Sequence, residues 1–316
     1  MKRVRRVLLC ILLFILGTFV ALFLPSFWKS LRVSWLLPSV DIGEDMFDPA
    51  AGNEQIPSII HHLSASDEVP QEWKQSYEST KGVHLRYGPG AYEHKLWTDK
   101  DIKMFIAESY PAFLSTFESY QYNIERVDAA RYFILLHFGG IYLDLDVGAR
   151  RSLDNLRRFD GLHTPRRTNL ILPLTKPLGV SNDFIMASKQ HPFMLFVTQR
   201  LIAGSHYRPA SLLTPWRLPF FSVLWSTGPL FLSEALYDYL ASGEGYANRH
   251  ECAYLSTKDY TRKLFYHLPG SSWLGWDGKM LLFLWYEMLP FGWRHAGICF
   301  GLAGPAHPSF KTTTTT

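Results

Sequence analysis

The hydrophobic pattern opens with an uninterrupted apolar run, Val7 through Leu24, behind Lys2, Arg3, Arg5 and Arg6. At about 1.5 Å of rise per residue, a helix of that length just spans a hydrocarbon core. The four flanking charges favour a cytoplasmic amino end. A cleaved signal peptide competes with this reading, but the run exceeds a usual h-region and lacks a clear small-x-small exit. The expectation is a tail over 1–6 and a transmembrane signal anchor over 7–25, with the remainder facing the secretory lumen. Pro25, Pro38 and Pro49 interrupt any long helix, and Asp41, Glu44, Asp45 and Asp48 add acidity, so residues 26–55 read as a stem.

From Ile56 the pattern changes to short apolar runs alternating with helical ones. Residues 56–63 predict a strand, 72–79 a helix, and 81–87 a second strand broken by Gly88-Pro89-Gly90. Thr98 caps a helix through Ala107, because Asp101 stands at its third position. A helix over 126–138 leads through Gly139-Gly140 into a strand that carries Asp144 and Asp146. Further on, 182–187 predicts a strand and 191–201 a helix, while Pro209, Pro215 and Pro219 predict a loop over 204–222. Thr227-Gly228-Pro229 opens another helix, with proline pre-set for its first turn. This alternation predicts an α/β domain over 56–280, a mostly parallel sheet with flanking helices. Sites in such sheets lie at the carboxyl ends of the strands. The segment 280–303 is apolar and aromatic but carries Glu287, Pro290, Arg294 and His295. A full span would bury those ionisable groups, so residues 281–316 are expected to form a membrane-interfacial segment and a tail.

Candidate chemistry concentrates at Gly139-Gly140-Ile141-Tyr142-Leu143-Asp144-Leu145-Asp146. In a strand, side chains two apart share a face, which would point both carboxylates into one cleft. Converging carboxylates repel unless a cation or a shared proton intervenes. A hard divalent ion, Mn²⁺ or Mg²⁺, that also bridges diphosphate oxygens satisfies both. An isolated Asp-x-Asp is ordinarily a solvated turn. Here the pair follows Ile134-Leu135-Leu136-His137-Phe138 and alternates with Leu143, Leu145 and Val147, where charge is costly unless compensated. Upstream, Asp128 and Arg131 lie three apart on one helix face; a surface ion pair is the plainer reading of those two alone.

Composition narrows the class. A chain of 316 residues with 47% hydrophobic content supplies an ample core, and 15% aromatic suits carbohydrate faces and membrane interfaces as well as packing. A net charge of +4 without a basic patch interleaved with aromatics argues against a nucleic-acid partner. Cys10 falls in the expected anchor; Cys252 and Cys299 either pair in an oxidising lumen or remain buried thiols.

Several ordered motifs carry a resemblance to a known family. Arg126-Val-Asp128-Ala-Ala-Arg131-Tyr132 followed by Gly139-Gly140-Ile-Tyr142-Leu-Asp144-Leu-Asp146 is similar to the Asp-x-Asp glycosyltransferases with a sugar-binding region. Within these it looks closest to the fungal inositol phosphorylceramide mannosyltransferases and the initiating α-1,6-mannosyltransferases. Ile56-Pro57-Ser58-Ile59-Ile60-His61-His62, Leu96-Trp97-Thr98-Asp99, Leu153-Asp154-Asn155-Leu156, Asn182-Asp183-Phe184, Thr227-Gly228-Pro229 and Ser271-Ser272-Trp273 follow in family order. The resemblance implies a GT-A, Rossmann-like fold, a divalent metal, a retained anomeric configuration and a nucleotide-sugar donor, GDP-mannose before a UDP-sugar. It also implies a lipid-linked or glycan acceptor, with inositol phosphorylceramide first, and a single-pass Golgi protein with a lumenal domain.

Carried over by position, Asp146 would ligate the metal, and Asp144 would contact sugar, ribose or the metal through water. Asp128 and Arg131 would contact the donor sugar, with Asn182 and Asp183 also in the substrate set. Ser272 and Trp273 would touch the diphosphate and form a lid, and Asp277 would position the acceptor. His267, in a loose likeness to a late metal-closing histidine, is either a ligand or a satisfied core residue. Two departures stand out: His62 where the family has Gln, and Leu274 where it has His. They leave a rival reading, a non-catalytic paralogue acting as a regulatory or homologous subunit. Hydrolysis by the carboxylate pair is disfavoured, since glycosidase carboxylates flank a sugar roughly 5–10 Å apart.

Overall fold

Seven strands form the central sheet of the computed structural model, in the order β1-β8-β6-β7-β4-β2-β3. They are β1 (Ser39–Val40), β2 (Ile59–Ser64), β3 (Glu93–Thr98), β4 (Gly140–Leu143), β6 (Leu170–Pro173), β7 (Phe184–Ala187) and β8 (Cys252–Leu255); β5 (Val147–Ala149) and β9 (Phe265–His267) make a separate antiparallel pair. The described residues are 24–37, 39–40, 56–85, 92–153, 169–175, 179–204 and 219–268, with Gly17, Leu156 and Gly278 as isolated positions. By backbone contacts the chain divides into Met1–Trp273 and Leu274–Thr316, and of the latter only Gly278 is described. The expected anchor over 7–25 and the segment 281–316 thus lie almost wholly outside the described residues. Among the described residues no helix is long and apolar enough to cross a membrane.

The expected mostly parallel sheet is present: β1 with β8, β8 with β6, and β4 with β2 and β2 with β3 all pair in parallel. β7 is the exception, antiparallel to both β4 and β6. That reversal matters for the site. Phe184, the first residue of β7, pairs with Leu143, the last of β4, so the residues entering β7 meet those leaving β4.

Strict alternation sends neighbouring strand residues to opposite faces. Tyr142, Leu170, Leu172, Ile185 and Ala187 join one core, with Phe133, Phe193 and Leu236 of the covering helices. Ile141, Leu143, Ile171, Phe184 and Met186 join the other, with Tyr260, Leu264 and Phe265. The helices over the first face include α4 (Asn123–Phe138), α5 (Pro192–Ile202) and α7 (Pro229–Ala241). Both faces of the sheet are therefore dry, as a largely parallel sheet requires.

Two expectations need correction. Residues 81–85 are not a strand; they complete α1 (Lys74–Leu85). Thr80 bonds back to the Ser76 carbonyl at 3.0 Å and accepts the Ala149 N–H at 3.2 Å, which ties the helix to β5. The loop predicted over 204–222 ends early, because α6 (Pro219–Ser226) begins at a proline, tolerated in a first helical turn, and buries Phe221, Val223 and Trp225. The helix expected from Thr98 is α2 (Asp99–Ser109), with the capping box formed by Thr98 and Asp101 as anticipated. Cys252 is a free thiol buried in β8, its pKa pushed up to about 12 by burial and then Glu251; Cys299 lies outside the described residues.

Three imidazoles are part of this frame. His61 accepts from Trp97 Nε1 at 3.2 Å on Nδ1, so its Nε2 carries the proton donated to the Gly139 carbonyl at 3.0 Å. His62 donates from Nδ1 to the Leu143 carbonyl at 2.8 Å, and His191 accepts the Phe193 N–H at 3.1 Å. Burial lowers their pKa from 6.5 to about 4 for His61 and His191 and about 3 for His62. Above 6.5 these rings are neutral folded or unfolded. As pH falls from 6.5 toward about 4 the unfolded chain gains protons that the folded chain refuses, so stability is lost across that window. Asp128 and Asp146 titrate in the opposite sense, so the test is a difference. Urea unfolding of the wild type should weaken more steeply with acid than that of His62→Asn, which keeps a donor for Leu143 without the titration. Equal acid slopes would count against the neutral-imidazole frame.

Candidate active site

The two motif carboxylates do not share a strand face. β4 ends at Leu143, and the Asp144 carbonyl accepts the Val147 N–H at 3.1 Å, closing a turn over 144–147 before β5. The side chains two apart that meet are instead those of Tyr142, in β4, and Asp144, just beyond its end. The Tyr142 hydroxyl donates to Asp144 Oδ1 at 2.5 Å. The turn is held on three sides: the Asp144 N–H donates to the Asp183 carbonyl at 2.9 Å, Leu268 N–H donates to the Asp146 carbonyl at 2.8 Å, and the Ser76 hydroxyl donates to the Leu145 carbonyl.

Two glycines bring the chain into this position. Gly139 ends α4 with φ 67° and Gly140 begins β4 with φ 93°. A Cβ on Gly139 would lie 2.5 Å from the Lys189 nitrogen, and one on Gly140 would lie 2.6 Å from the Ile59 carbonyl oxygen. Both dihedral and space therefore demand glycine.

Beneath the turn sits Arg131, 1% exposed. Its guanidinium meets Asp128 Oδ1 at 2.6 Å and Asp144 Oδ1 at 3.2 Å, donates to the Asn182 carbonyl at 2.5 Å and stacks over the Tyr142 ring at 4.4 Å. Asp128 is itself buried and receives Asn182 Nδ2 at 3.0 Å and the Thr227 hydroxyl at 3.4 Å. Asn182 also donates to the Tyr132 hydroxyl at 3.3 Å, which in turn donates to the Thr227 carbonyl at 2.7 Å. Asp128, Arg131 and Asn182 thus meet protein groups, one layer behind Asp144.

The outer layer holds Asp144, Asp146, Asp183 and His267. Asp144 is 31% exposed at its side chain. Tyr142 and Arg131 both meet its Oδ1, leaving Oδ2 without a partner among the described residues. Burial raises the Asp144 pKa, with Arg131 opposing. Asp146 is pushed up to about 7 by burial and then by the charges of Asp144 and Asp183. Asp183 Oδ1 is buried with no well-formed hydrogen bond among the described residues, and burial and then Asp183 raise the pKa of the neighbouring Tyr260 hydroxyl. His267 Nδ1 stands 3.9 Å from Asp183 Oδ2, and its ring meets Tyr260 edge-on at 5.5 Å.

The site therefore carries negative charge that Arg131 only partly offsets. Among the described residues no group of three or more His, Cys, Asp or Glu side chains forms a ready metal cage. A hard cation held by one or two carboxylates and completed by substrate phosphate oxygens has no need of one. The unpartnered oxygen of Asp144 and the raised Asp146 fit such an ion.

Of the residues expected from sequence, Asp128, Arg131, Asp144, Asp146, Asn182, Asp183 and His267 come together. Ser272, Trp273 and Asp277 lie outside the described residues. Tyr142, Tyr132, Thr227 and Tyr260 had no role assigned from sequence; for Tyr142 the signal was present, two residues before Asp144 in a strand.

Removing the cation tests this arrangement. Arg131→Met strands Asp128 in the interior and should cost about 3–5 kcal/mol in unfolding free energy. In an Asp128→Asn background the same change should cost markedly less. Equal costs in both backgrounds would show that the pair is not coupled.

Comparison with known proteins places this geometry. Residues 70–161 match the family described as glycosyltransferase sugar-binding region containing DXD motif. The chain is 34% identical over 251 residues to inositol phosphoceramide mannosyltransferase 1 of Schizosaccharomyces pombe, covering 78% of this chain and 70% of that protein. It is 38% identical over 242 residues to mannosyl phosphorylinositol ceramide synthase SUR1 of Saccharomyces cerevisiae, covering 75% of this chain and 57% of that protein. Among solved structures, the PaToxG glycosyltransferase overlaps at a TM-score of 0.41 and 15% identity, covering 59% of this chain and 70% of that one, too distant to carry argument. With the motif, its fold position and these relatives in agreement, the chain belongs to the inositol phosphoceramide mannosyltransferase family of glycosyltransferases.

Proposed function

We propose that this chain transfers mannose from GDP-mannose to a hydroxyl of inositol phosphoceramide, with retained configuration, at the turn carrying Asp144 and Asp146. The observation that carries the proposal is the excess of carboxylate at that turn. Asp146 is raised to about 7 by burial and then by the charges of Asp144 and Asp183. Family membership supplies the reaction class. The dry, mostly parallel sheet with its site beyond the end of β4 supports the GT-A reading.

Asp146 and the free oxygen of Asp144 would hold Mn²⁺ or Mg²⁺ together with donor phosphate oxygens, with Asp183 and His267 at the margin. When bound, the ion offsets charge on the departing diphosphate. The protein's own groups prepare the site. Arg131 and Tyr142 fix one oxygen of Asp144 and leave the other for ligand. Asp128 and Asn182 hold Arg131 in place, acting on the donor sugar's surroundings through it. We assign Ser272 and Trp273 to diphosphate and lid contacts and Asp277 to the acceptor. The apolar run over 7–24 and its basic flank support a Golgi membrane protein with a lumenal domain. The intact layer of Asp128, Arg131 and Asp144 weighs against the accessory-subunit reading.

The test is a donor panel on the full chain reconstituted with inositol phosphoceramide. GDP-mannose should be used in preference to UDP-sugars, chelator should abolish transfer, and Mn²⁺ should restore it. Asp146→Asn should lower turnover by ~10²-fold or more. Because it removes a repelled charge, the same variant should unfold no more easily without metal. Full transfer by Asp146→Asn, or preference for a UDP-sugar, would overturn the respective part.

A further inference from the structure

Residues 24–36 are helical and show an inverted pattern. The face toward the domain is Ser26, Ser30, Val33 and Leu37, all buried. It is fastened there: Ser26 donates to Glu234 at 2.5 Å and accepts from Trp225 Nε1 at 3.1 Å, and Lys29 pairs with Asp238 at 2.8 Å. The opposite face is the more apolar one. Leu24, Phe27, Trp28 and Trp35 are exposed by 47%, 39%, 49% and 76%. At 3.6 residues per turn these positions form one stripe of roughly 100°. Arg32 flanks it with its guanidinium 5.8 Å from the Trp28 ring.

We propose that this outward face is seated in the interfacial layer of a lipid bilayer and fixes the catalytic domain against the membrane that holds its acceptor. Three observations select lipid over other occupants. The stripe begins at Leu24, the last residue of the apolar run that starts at Val7, so in sequence the helix follows directly on the segment with bilayer-spanning length. Besides Leu24, its exposed residues are two tryptophans and a phenylalanine, side chains suited to the headgroup boundary. Arg32 at the stripe's edge can lay its stem along the apolar surface and reach anionic headgroups with its charge. The fastened inner face prevents the helix from rolling to hide the stripe. The acceptor side of this inference rests on the mannosyl-transfer reading; the seating itself does not.

The test uses the full chain in phosphatidylcholine vesicles containing a minor share of phosphatidylserine. Spin labels are placed singly at Phe27→Cys, Trp28→Cys and Trp35→Cys, and at Tyr246→Cys as a solvent reference, 62% exposed, each in a Cys10→Ser, Cys299→Ser background. Labels at 28 and 35 should collide with oxygen in preference to a water-soluble nickel chelate, with the reverse at 246. Nickel access at 28 and 35 equal to that at 246 would overturn the proposal, as would shielding from both quenchers, which would indicate a protein cover such as a second copy. The depth profile needs no turnover, so its failure is distinct from failure of the transfer assay. If both readings hold, Trp28→Ser with Trp35→Ser should slow transfer to bilayer acceptor several-fold and leave hydrolysis of GDP-mannose unchanged.

Discussion

A buried guanidinium cannot stand alone, and most of the site follows from how Arg131 is satisfied. Burial works against its charge, yet Asp144, Tyr142 and Asp128 outweigh burial and raise its pKa. The cost of taking these charges out of water is offset only by close geometry, and the partners come from three places in the chain. Asp128 is on the same helix three residues earlier, Tyr142 and Asp144 follow from β4, and the Asn182 carbonyl comes from the approach to β7. The pair β4–β7 is antiparallel, and only that direction brings the start of β7 to the end of β4. One charge thus depends on the sheet's single reversed strand.

The same layer extends outward through α6. Glu125, one turn before Asp128 on α4, accepts the Ser226 hydroxyl at 2.7 Å, and the adjacent Trp225 reaches Ser26. Thr227, the next residue, contacts Asp128. The last two residues of α6 and the one after it therefore touch the helix over 24–36, the buried acid on α4 and the Arg131 pair. This gives a contiguous packing route between the outward helix and the site.

Much of this was legible in the sequence, and the misses have physical causes. The strand near Ile56, the capped helix after Thr98, the Gly139-Gly140 turn and the convergence of Asp128, Arg131, Asp144 and Asp183 follow from local chemistry and ordered motifs. The geometry of the Asp pair did not. Alternating apolar residues around Asp144 and Asp146 look the same whether the strand continues or turns, and the decisive bonds, from Asp183, Leu268 and Ser76, come from distant segments. Residues 81–85 alternate enough for a strand, but they complete a helix that the Ala149 N–H, donating to the Thr80 hydroxyl, ties to β5. Residues 26–55 read as a stem because Pro25, Pro38 and Pro49 interrupt any long helix, whereas the bonds that fasten the helix over 24–36 join Ser26 to Glu234 and Trp225, about two hundred residues away.

The turn also separates the roles of the two aspartates. Side by side on a strand they would be near-equivalent. Here Asp144 is neutralised from behind by Arg131 and oriented by Tyr142, whereas Asp146 has no ion pair among the described residues and its pKa is raised to about 7. A charge with no protein counterion is the one most relieved by an incoming cation, since the free energy of its own repulsion adds to that of binding. Asp144 is better suited to a fixed hydrogen-bond acceptor, because half of its carboxylate is already committed. The asymmetry arises from backbone geometry, in that a strand ends one residue before the first aspartate and a four-residue turn begins on it.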